Sequence, residues 1–243
     1  MSTITVTGGT SGPGAPLVNL LKAEGHNVRV FSRMPGESHF VGDLTTGAGL
    51  SEALDGADTV VHLATNAKSD LAGTQRLLAA AHIAGVGHLV YLSIVGVDKI
   101  PFAYYRDKLA NEKAIEDSGV PFTILRATQF HSFPGQIISM TGGHFLFNLK
   151  VQPIGVQDVA TRLAEIVGAP PAGRVADIGG PEILETRDIV GRLQAAGRVK
   201  KPVFMISLLG KTFGAFKAGH HIPGVPSYGT QTFDEWIASG AVR

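Results

Sequence analysis

Two apolar rhythms alternate along this chain. Short β-branched runs read as strands: Ile4-Thr5-Val6, then residues 28–31, 59–63, 88–92 and 121–125. Between them apolar residues return every three or four positions, the spacing of one helix face. Residues 15–24 carry Leu17, Leu20 and Leu21 in this way, residues 70–84 carry Leu71, Leu77, Leu78 and Ile83, and residues 104–118 read as a further helix. Residues 40–44 add a short strand ending in an acid, and residues 50–54 a brief helix. Strands that take turns with helices predict a parallel, doubly wound α/β sheet with ligands at the carboxyl ends of its strands.

Beyond Arg126 the alternation loosens. Residues 129–140 read as a helix broken by Gly142-Gly143, residues 156–167 as a helix and residues 174–178 as a strand. Thr186 is placed to cap a helix reaching Ala196. Residues 207–218 are apolar apart from Lys211 and Lys217, and a loop rich in histidine, proline and glycine follows at 219–229.

The 243 residues suffice for one large domain with a small C-terminal appendage. Hydrophobic residues make up 44% and charged residues 17%, which excludes a disordered chain. A formal net charge of +1 gives no electrostatic reason to bind nucleic acid or a membrane surface. The absence of cysteine removes disulfides, thiol nucleophiles and cysteine-ligated zinc. Neither a signal peptide nor a membrane span of roughly 20 apolar residues is read, and the expected location is the cytoplasm.

The chemistry begins at Thr7-Gly8-Gly9-Thr10-Ser11-Gly12-Pro13-Gly14, between the first strand and the first helix. Glycine allows positive φ there and lets the backbone approach a pyrophosphate closely. The helix start aims unpaired N–H groups and a positive dipole end at the phosphates. Pro13 has no N–H to offer but suits a first helical turn. This is the start of a Rossmann-type dinucleotide fold, and Gly8, Thr10, Ser11, Gly12, Pro13 and Gly14 are its candidate cofactor residues. Ser32 and Arg33 end the second strand, where NAD-preferring folds commonly place an acid for the ribose hydroxyls. A guanidinium suits a 2′-phosphate, so NADP(H) is expected ahead of NAD(H).

These motifs, in this order, resemble the NmrA-like, NAD(P)-binding branch of the atypical short-chain dehydrogenase/reductases. The resemblance is carried by Thr7 to Gly14, Gly42-Asp43-Leu44, Val60-Val61-His62-Leu63-Ala64 and Leu89-Val90-Tyr91-Leu92-Ser93. It continues through Tyr105-Arg106-Asp107-Lys108, Gly119-Val120-Pro121-Phe122-Thr123-Ile124-Leu125-Arg126 and Gln157-Asp158-Val159-Ala160. Ser11 stands where atypical members usually carry glycine, while Thr7-Gly8-x-x-x-Gly12-x-Gly14 keeps the spacing of the compact short-chain dehydrogenases. The resemblance implies an NAD(P)-binding Rossmann domain over residues 1–180. Residues 181–243 are expected to form a small substrate-side subdomain of the same structural unit, covering the pocket.

It also implies roles. Ser93 after the fifth strand, with the pair Tyr104 and Lys108 on the next helix, would be catalytic. The tyrosine would exchange a proton with the substrate oxygen, and the lysine would bind the nicotinamide ribose and lower the tyrosine pKa. Four residues of spacing put Tyr104 and Lys108 on one helix face, with Tyr105 as an alternative tyrosine. Asp43 would accept from the adenine amino group, with Leu44 beside it. Ala64, Thr65 and Asn66 after the fourth strand, and Thr128 and Gln129 after the sixth, would line the cofactor. His131, His220 and His221 read as loop histidines and not as metal ligands. Phe130, Phe133, Phe145 and Phe147 read as pocket wall or core. Two functions stay open. One is an NADP(H)-dependent oxidoreductase acting on a small carbonyl compound or quinone. The other is a non-catalytic NADP(H)-binding sensor that changes partners with cofactor state. A sugar-nucleotide epimerase is disfavoured because 243 residues leave little for a nucleotide-sugar domain.

Overall fold

The run Ile4-Thr5-Val6 lies within strand β1 (Thr3–Thr7), buried on both faces, with Ile4 and Val6 at 0% exposure. The Thr5 hydroxyl in that strand donates to the Ala53 carbonyl at 2.7 Å, so its burial leaves no group unpaired. The computed structural model describes residues 1–65, 70–142, 144–225 and 227–240. After β1 come α1 (Gly14–Ala23), β2 (Asn27–Ser32), β3 (His39–Val41), α2 (Leu50–Leu54), β4 (Thr59–His62), α3 (Asp70–Ile83) and β5 (His88–Ile94). The chain continues through α4 (Ala103–Glu116), β6 (Phe122–Ala127), α5 (Phe133–Met140), β7 (Phe145–Phe147), β8 (Lys150–Val151), α6 (Val156–Val167) and β9 (Gly173–Arg174). It ends with β10 (Leu184–Glu185), α7 (Thr186–Ala195), β11 (Phe204–Ile206), α8 (Lys211–Lys217) and α9 (Phe233–Ala238).

Two compact units result. The first comprises Met1–Ser93, Ala103–Arg126 and Val159–Ala176. Its seven-stranded sheet runs β3-β2-β1-β4-β5-β6-β9, a Rossmann-type doubly wound arrangement. The pairs given by register are parallel: Ile4 lies opposite Val28 on one side and Thr59 on the other, and Val61 opposite Val90. Strand order reverses between β1 and β4, which makes that gap the topological switch point where such sheets bind ligands. Leu54, Leu77, Leu89, Tyr91, Ile115 and Ile124 build the core beside it.

The second unit comprises Ile94–Phe102, Ala127–Asp158 and Asp177–Arg243. It contains two small sheets, β10 antiparallel to β8 and β11 parallel to β7. Ile138, Leu146, Ile189, Phe233 and Trp236 form its own core. A capping box starts α9: the Thr232 hydroxyl accepts from the Glu235 N–H at 3.2 Å, and the Glu235 carboxylate accepts from the Thr232 N–H at 2.8 Å.

Four expected boundaries move, each for a local reason. The third strand stops at Val41 and not at Leu44, because the Asp43 carboxylate takes the Thr45 N–H at 2.8 Å and turns the chain. The helix expected from Gln129 begins at Phe133, since Gln129 and His131 exchange backbone bonds with Ile154. The strand expected over 174–178 is reduced to Gly173–Arg174, followed by a lone bridge between Ile178 and Ala127. Glu185, not Thr186, is the N-cap of α7. The Thr186 hydroxyl instead donates to the Phe147 carbonyl at 2.7 Å and accepts from the Leu149 N–H at 3.0 Å, tying the helix start to the β7–β8 connection. Gly143, read as a helix breaker, lies outside the described residues.

Within the first unit, Arg126 on β6 clamps Glu112 on α4 with two bonds of 2.9 and 2.6 Å, at 4% and 2% exposure. Arg126→Met would strand a buried carboxylate, and should lower stability by about 3–5 kcal/mol in denaturant unfolding. Adding Glu112→Leu should restore most of that loss. A double variant no more stable than the single one would contradict this.

Candidate active site

The carboxyl ends of β1, β2, β4 and β5 carry most of the residues singled out in the first unit. The glycine turn follows β1. Gly12 has φ +52°, and a Cβ placed on it would meet nothing within 4 Å, so this edge of the turn is open. Gly14 is the opposite case: a Cβ there would lie 2.1 Å from the Gly8 carbonyl oxygen. The turn therefore packs directly on the helix start, and only glycine permits that approach. Thr10 and Ser11 are exposed beside Gly12, and Pro13 and Gly14 are buried. Helix α1 begins at Gly14 behind Pro13 as its N-cap, with no side-chain cap and no acid in its first turn. The Gly14 N–H goes to the Ser11 carbonyl at 3.0 Å and Pro13 and Pro16 have none, so what the helix start offers an anion is chiefly its positive dipole end.

Farther along the edge, the Ser32 hydroxyl accepts from the Met34 N–H at 3.1 Å, and Arg33 is exposed. The bond from Thr45, aided by the nearby Arg33 charge, holds the Asp43 carboxyl below the usual range. Leu44 packs against the core cluster. The Ala64 N–H donates to the Thr7 hydroxyl at 3.2 Å. Thr65 makes a side-chain hydrogen bond with Tyr104. Asn66 lies outside the described residues. Ser93 ends up 2% exposed near the end of β5, with no hydrogen-bond partner for its hydroxyl among the described residues. A buried orphan hydroxyl calls for a ligand or water to complete it.

Tyr104 and Lys108 stand one turn apart on α4. Burial raises the Tyr104 pKa; Thr65 opposes the shift and the Asp70 charge adds to it. The sequence implied a lowered value from Lys108; the dominant influence is instead desolvation. Lys108 is 4% exposed, its Nζ 3.5 Å from Asp70 Oδ2 and 5.1 Å from the centre of the Tyr91 ring. Burial lowers the Lys108 pKa, and Asp70 pulls it back up. Tyr105 is buried and belongs to the core.

Sequence reasoning missed the polar scaffold under these groups. Thr74 donates to the Asp70 backbone carbonyl at 3.0 Å, so its oxygen accepts from His62 Nε2, also at 3.0 Å. His62 Nδ1 must then accept from Thr7, 2.7 Å away, while Thr7 accepts from Ala64. The donor order fixes His62 as the neutral Nε2–H tautomer. Burial agrees, pushing its pKa down to about 3. Asn111 completes the group, donating to Asp70 Oδ2 at 2.8 Å and meeting the Tyr91 hydroxyl at 3.0 Å. Two signals were present: a histidine inside the apolar run of β4, and Asn111 three residues after Lys108 on one helix face.

The remaining candidates belong to the second unit. The Thr128 hydroxyl donates to the Gln152 carbonyl at 2.5 Å, and the Gln129 carbonyl accepts from Ile154. His131 and His221 are buried and bond to the carbonyls of Gln231 and Lys150, whereas His220 is exposed. Among the described residues no group of three or more His, Asp or Glu is placed to hold a metal ion. The phenylalanines do not form one wall: Phe147 meets Phe213, Phe145 meets Phe204, and Phe133 is 43% exposed.

An open glycine turn at the switch point of a parallel sheet, an uncapped helix start and an orphan serine on the same edge fit a dinucleotide. The chain belongs to the NAD(P)H-binding family, whose model matches residues 8–170. Its cofactor is thus a nicotinamide dinucleotide, as the motifs implied. It is 32% identical over 206 residues to (4-alkanoyl-5-oxo-2,5-dihydrofuran-3-yl)methyl phosphate reductase of Streptomyces griseus, covering 78% of this chain and 72% of that one. In structure it is similar to a nucleoside-diphosphate-sugar epimerase of Staphylococcus aureus, with TM-score 0.79, 17% identity and coverage of 97% and 99%. It is also similar to an NADPH-dependent quinone oxidoreductase of Escherichia coli, with TM-score 0.78, 16% identity and coverage of 97% and 98%. No helix among the described residues is long and apolar enough to cross a membrane.

Gly12 and Gly25 make a matched pair for testing the turn. Both have positive φ and open space around a would-be Cβ, but Gly25 follows the far end of α1. Gly12→Val and Gly25→Val should suffer similar backbone strain, about 1–2 kcal/mol. Calorimetric titration should show cofactor binding lost in Gly12→Val alone. Equal binding by the two variants would move the phosphates elsewhere.

Proposed function

We propose that this chain is an NADPH-dependent reductase of a small carbonyl compound or quinone, working through Tyr104, Lys108 and Ser93. The observation that carries the reading is the pair on α4: a phenol that burial keeps protonated, one turn from a buried ammonium with a carboxylate beside it. Bound NADPH supplies the hydride in such chemistry. The protein's part is then to give a proton to the substrate oxygen and to bind the ribose. Tyr104 suits the first task, since its phenol is protonated at neutral pH and the hydroxyl can pass that proton to the substrate oxygen. Lys108 suits the second, because one contact to Asp70 leaves two of its three N–H donors for ribose oxygens. Ser93 adds a hydroxyl able to donate to the substrate or nicotinamide side. The reductase and quinone oxidoreductase among the similar proteins support this substrate class.

The glycine turn would take the pyrophosphate, with Gly8, Thr10, Ser11, Gly12, Pro13 and Gly14 around it. Ser32 and Arg33 would face the adenosine ribose, with Asp43 and Leu44 near the adenine. Ala64 and Thr65 would follow the chain toward the nicotinamide. One observation favours the sensor alternative: Tyr104 and Lys108 already have partners in Thr65 and Asp70.

NADPH should bind more tightly than NADH. Arg33→Glu should weaken NADPH about 10- to 100-fold, the effect of losing a charge-assisted bond, and change NADH little. Equal affinities in the wild type would rule out the NADP preference.

Turnover separates the enzyme from the sensor. Tyr104→Phe should cut NADPH oxidation with a quinone or aldehyde by about 10²–10⁴-fold while cofactor affinity holds. Lys108→Met should weaken both. A sensor would show no turnover in the wild type and weaker binding in Lys108→Met alone. A quinone reductase needing no protein acid would leave Tyr104→Phe active.

A further inference from the structure

We infer that Asp70 is a positioning residue for the cofactor lysine: it fixes the Lys108 ammonium at the sheet edge and keeps it in its charged form. The inference rests on the reading of Lys108 as a ribose ligand and adds a residue that neither the motifs nor the similar proteins assign.

The geometry is specific. Asp70 opens α3, and its Oδ2 is shared between Asn111 Nδ2 at 2.8 Å and Lys108 Nζ at 3.5 Å. The Lys108 and Asp70 side chains are 6% and 7% exposed, so water screens the pair little. These two partners of the carboxylate project from α4, three residues apart, and Asn111 is fully buried. Asn111 also meets the Tyr91 hydroxyl of β5, whose ring lies beneath the ammonium. On the other side, the Asp70 carbonyl receives the Thr74 hydroxyl, which leads through His62 to Thr7, the residue before Gly8. Asp70 is therefore held by backbone and side chain alike, and it presents its charge from a fixed point.

Among the described residues, Asp70 from α3, neutral His62 from β4 and Tyr91 from β5 face the ammonium. Glu112, also on α4, spends its charge on Arg126 of β6. Asp70 is thus the carboxylate that offsets the burial of Lys108. Without it, an ammonium in these surroundings gives up its proton more readily.

The experiment is the affinity of the full-length protein for NADPH, measured by calorimetry from neutral to alkaline pH. In the wild type, affinity should fall on the alkaline side as Lys108 loses its proton. Asp70→Asn keeps an acceptor for Asn111 but removes the charge. It should bring that fall to lower pH by about 1–3 units, the usual reach of one opposite charge. Asp70→Ser, well suited to a helix start, is a second uncharged variant should the first not fold. Asp70→Glu should return the profile toward the wild type, a rescue that a merely space-filling role does not produce. An alkaline fall unmoved in the uncharged variants would overturn the inference. Lys108→Met separates that outcome from a failure of the underlying reading. If it binds NADPH as tightly as the wild type, Lys108 is not a ribose ligand at all. If it binds weakly and without alkaline dependence while the Asp70 variants titrate as the wild type does, only the role of Asp70 falls.

Discussion

An ammonium taken out of water persists only where an opposite charge and good acceptors are built around it. Lys108 sets that condition for the first unit. Its helix carries Asn111 one turn on, the next helix back begins at Asp70, and the strand between carries Tyr91. Three consecutive elements of the chain are tied to one another by satisfying a single charge. The tie lies near the sheet edge where Tyr104, Thr65 and Ser93 stand, so the geometry of the candidate site is inherited from it.

The scaffold behind the charge is uncharged, and this matters. A protonated His62 would face an ammonium across a dry interior; its neutral state lets one ring pass a hydrogen bond from β1 to α3 without adding repulsion. Thr7 and Thr74 act as adapters, each accepting from one neighbour and donating to the next. Such a chain fixes distances and not potentials. It connects the residue that begins the glycine turn with the residue that begins α3.

Much of this was legible in the sequence, and the parts that were not share a cause. The strands and helices of the first unit are buried on their apolar faces, so periodicity reveals them. The glycine turn announces itself because its chemistry is local. Lys108 follows from spacing to Tyr104 on one helix. Its partners do not: Asp70, His62 and Asn111 become meaningful only when α3, β4 and α4 meet, and single polar residues in those segments look like surface or strand filler. In the second unit β7, β8, β10 and β11 have two or three residues each, too few for any period to show. Helix α7 is long enough there to be read from Thr186 to Ala196, and α9 carries a start signal of its own, Thr232 and Glu235 three apart just before Trp236 and Ile237.

Helix α1 starts without a capping side chain or an acid, directly behind a turn that packs too closely to move. Its positive dipole end carries no opposing charge of its own and is open to a visiting anion. A molecule with such an unfinished helix has a melting temperature that is not a constant of the sequence. Every increase of free nucleotide above its dissociation constant adds stability as the logarithm of concentration. The fold can then serve as its own gauge of nucleotide supply, sturdy when the pool is full and easier to unfold when the pool is drained.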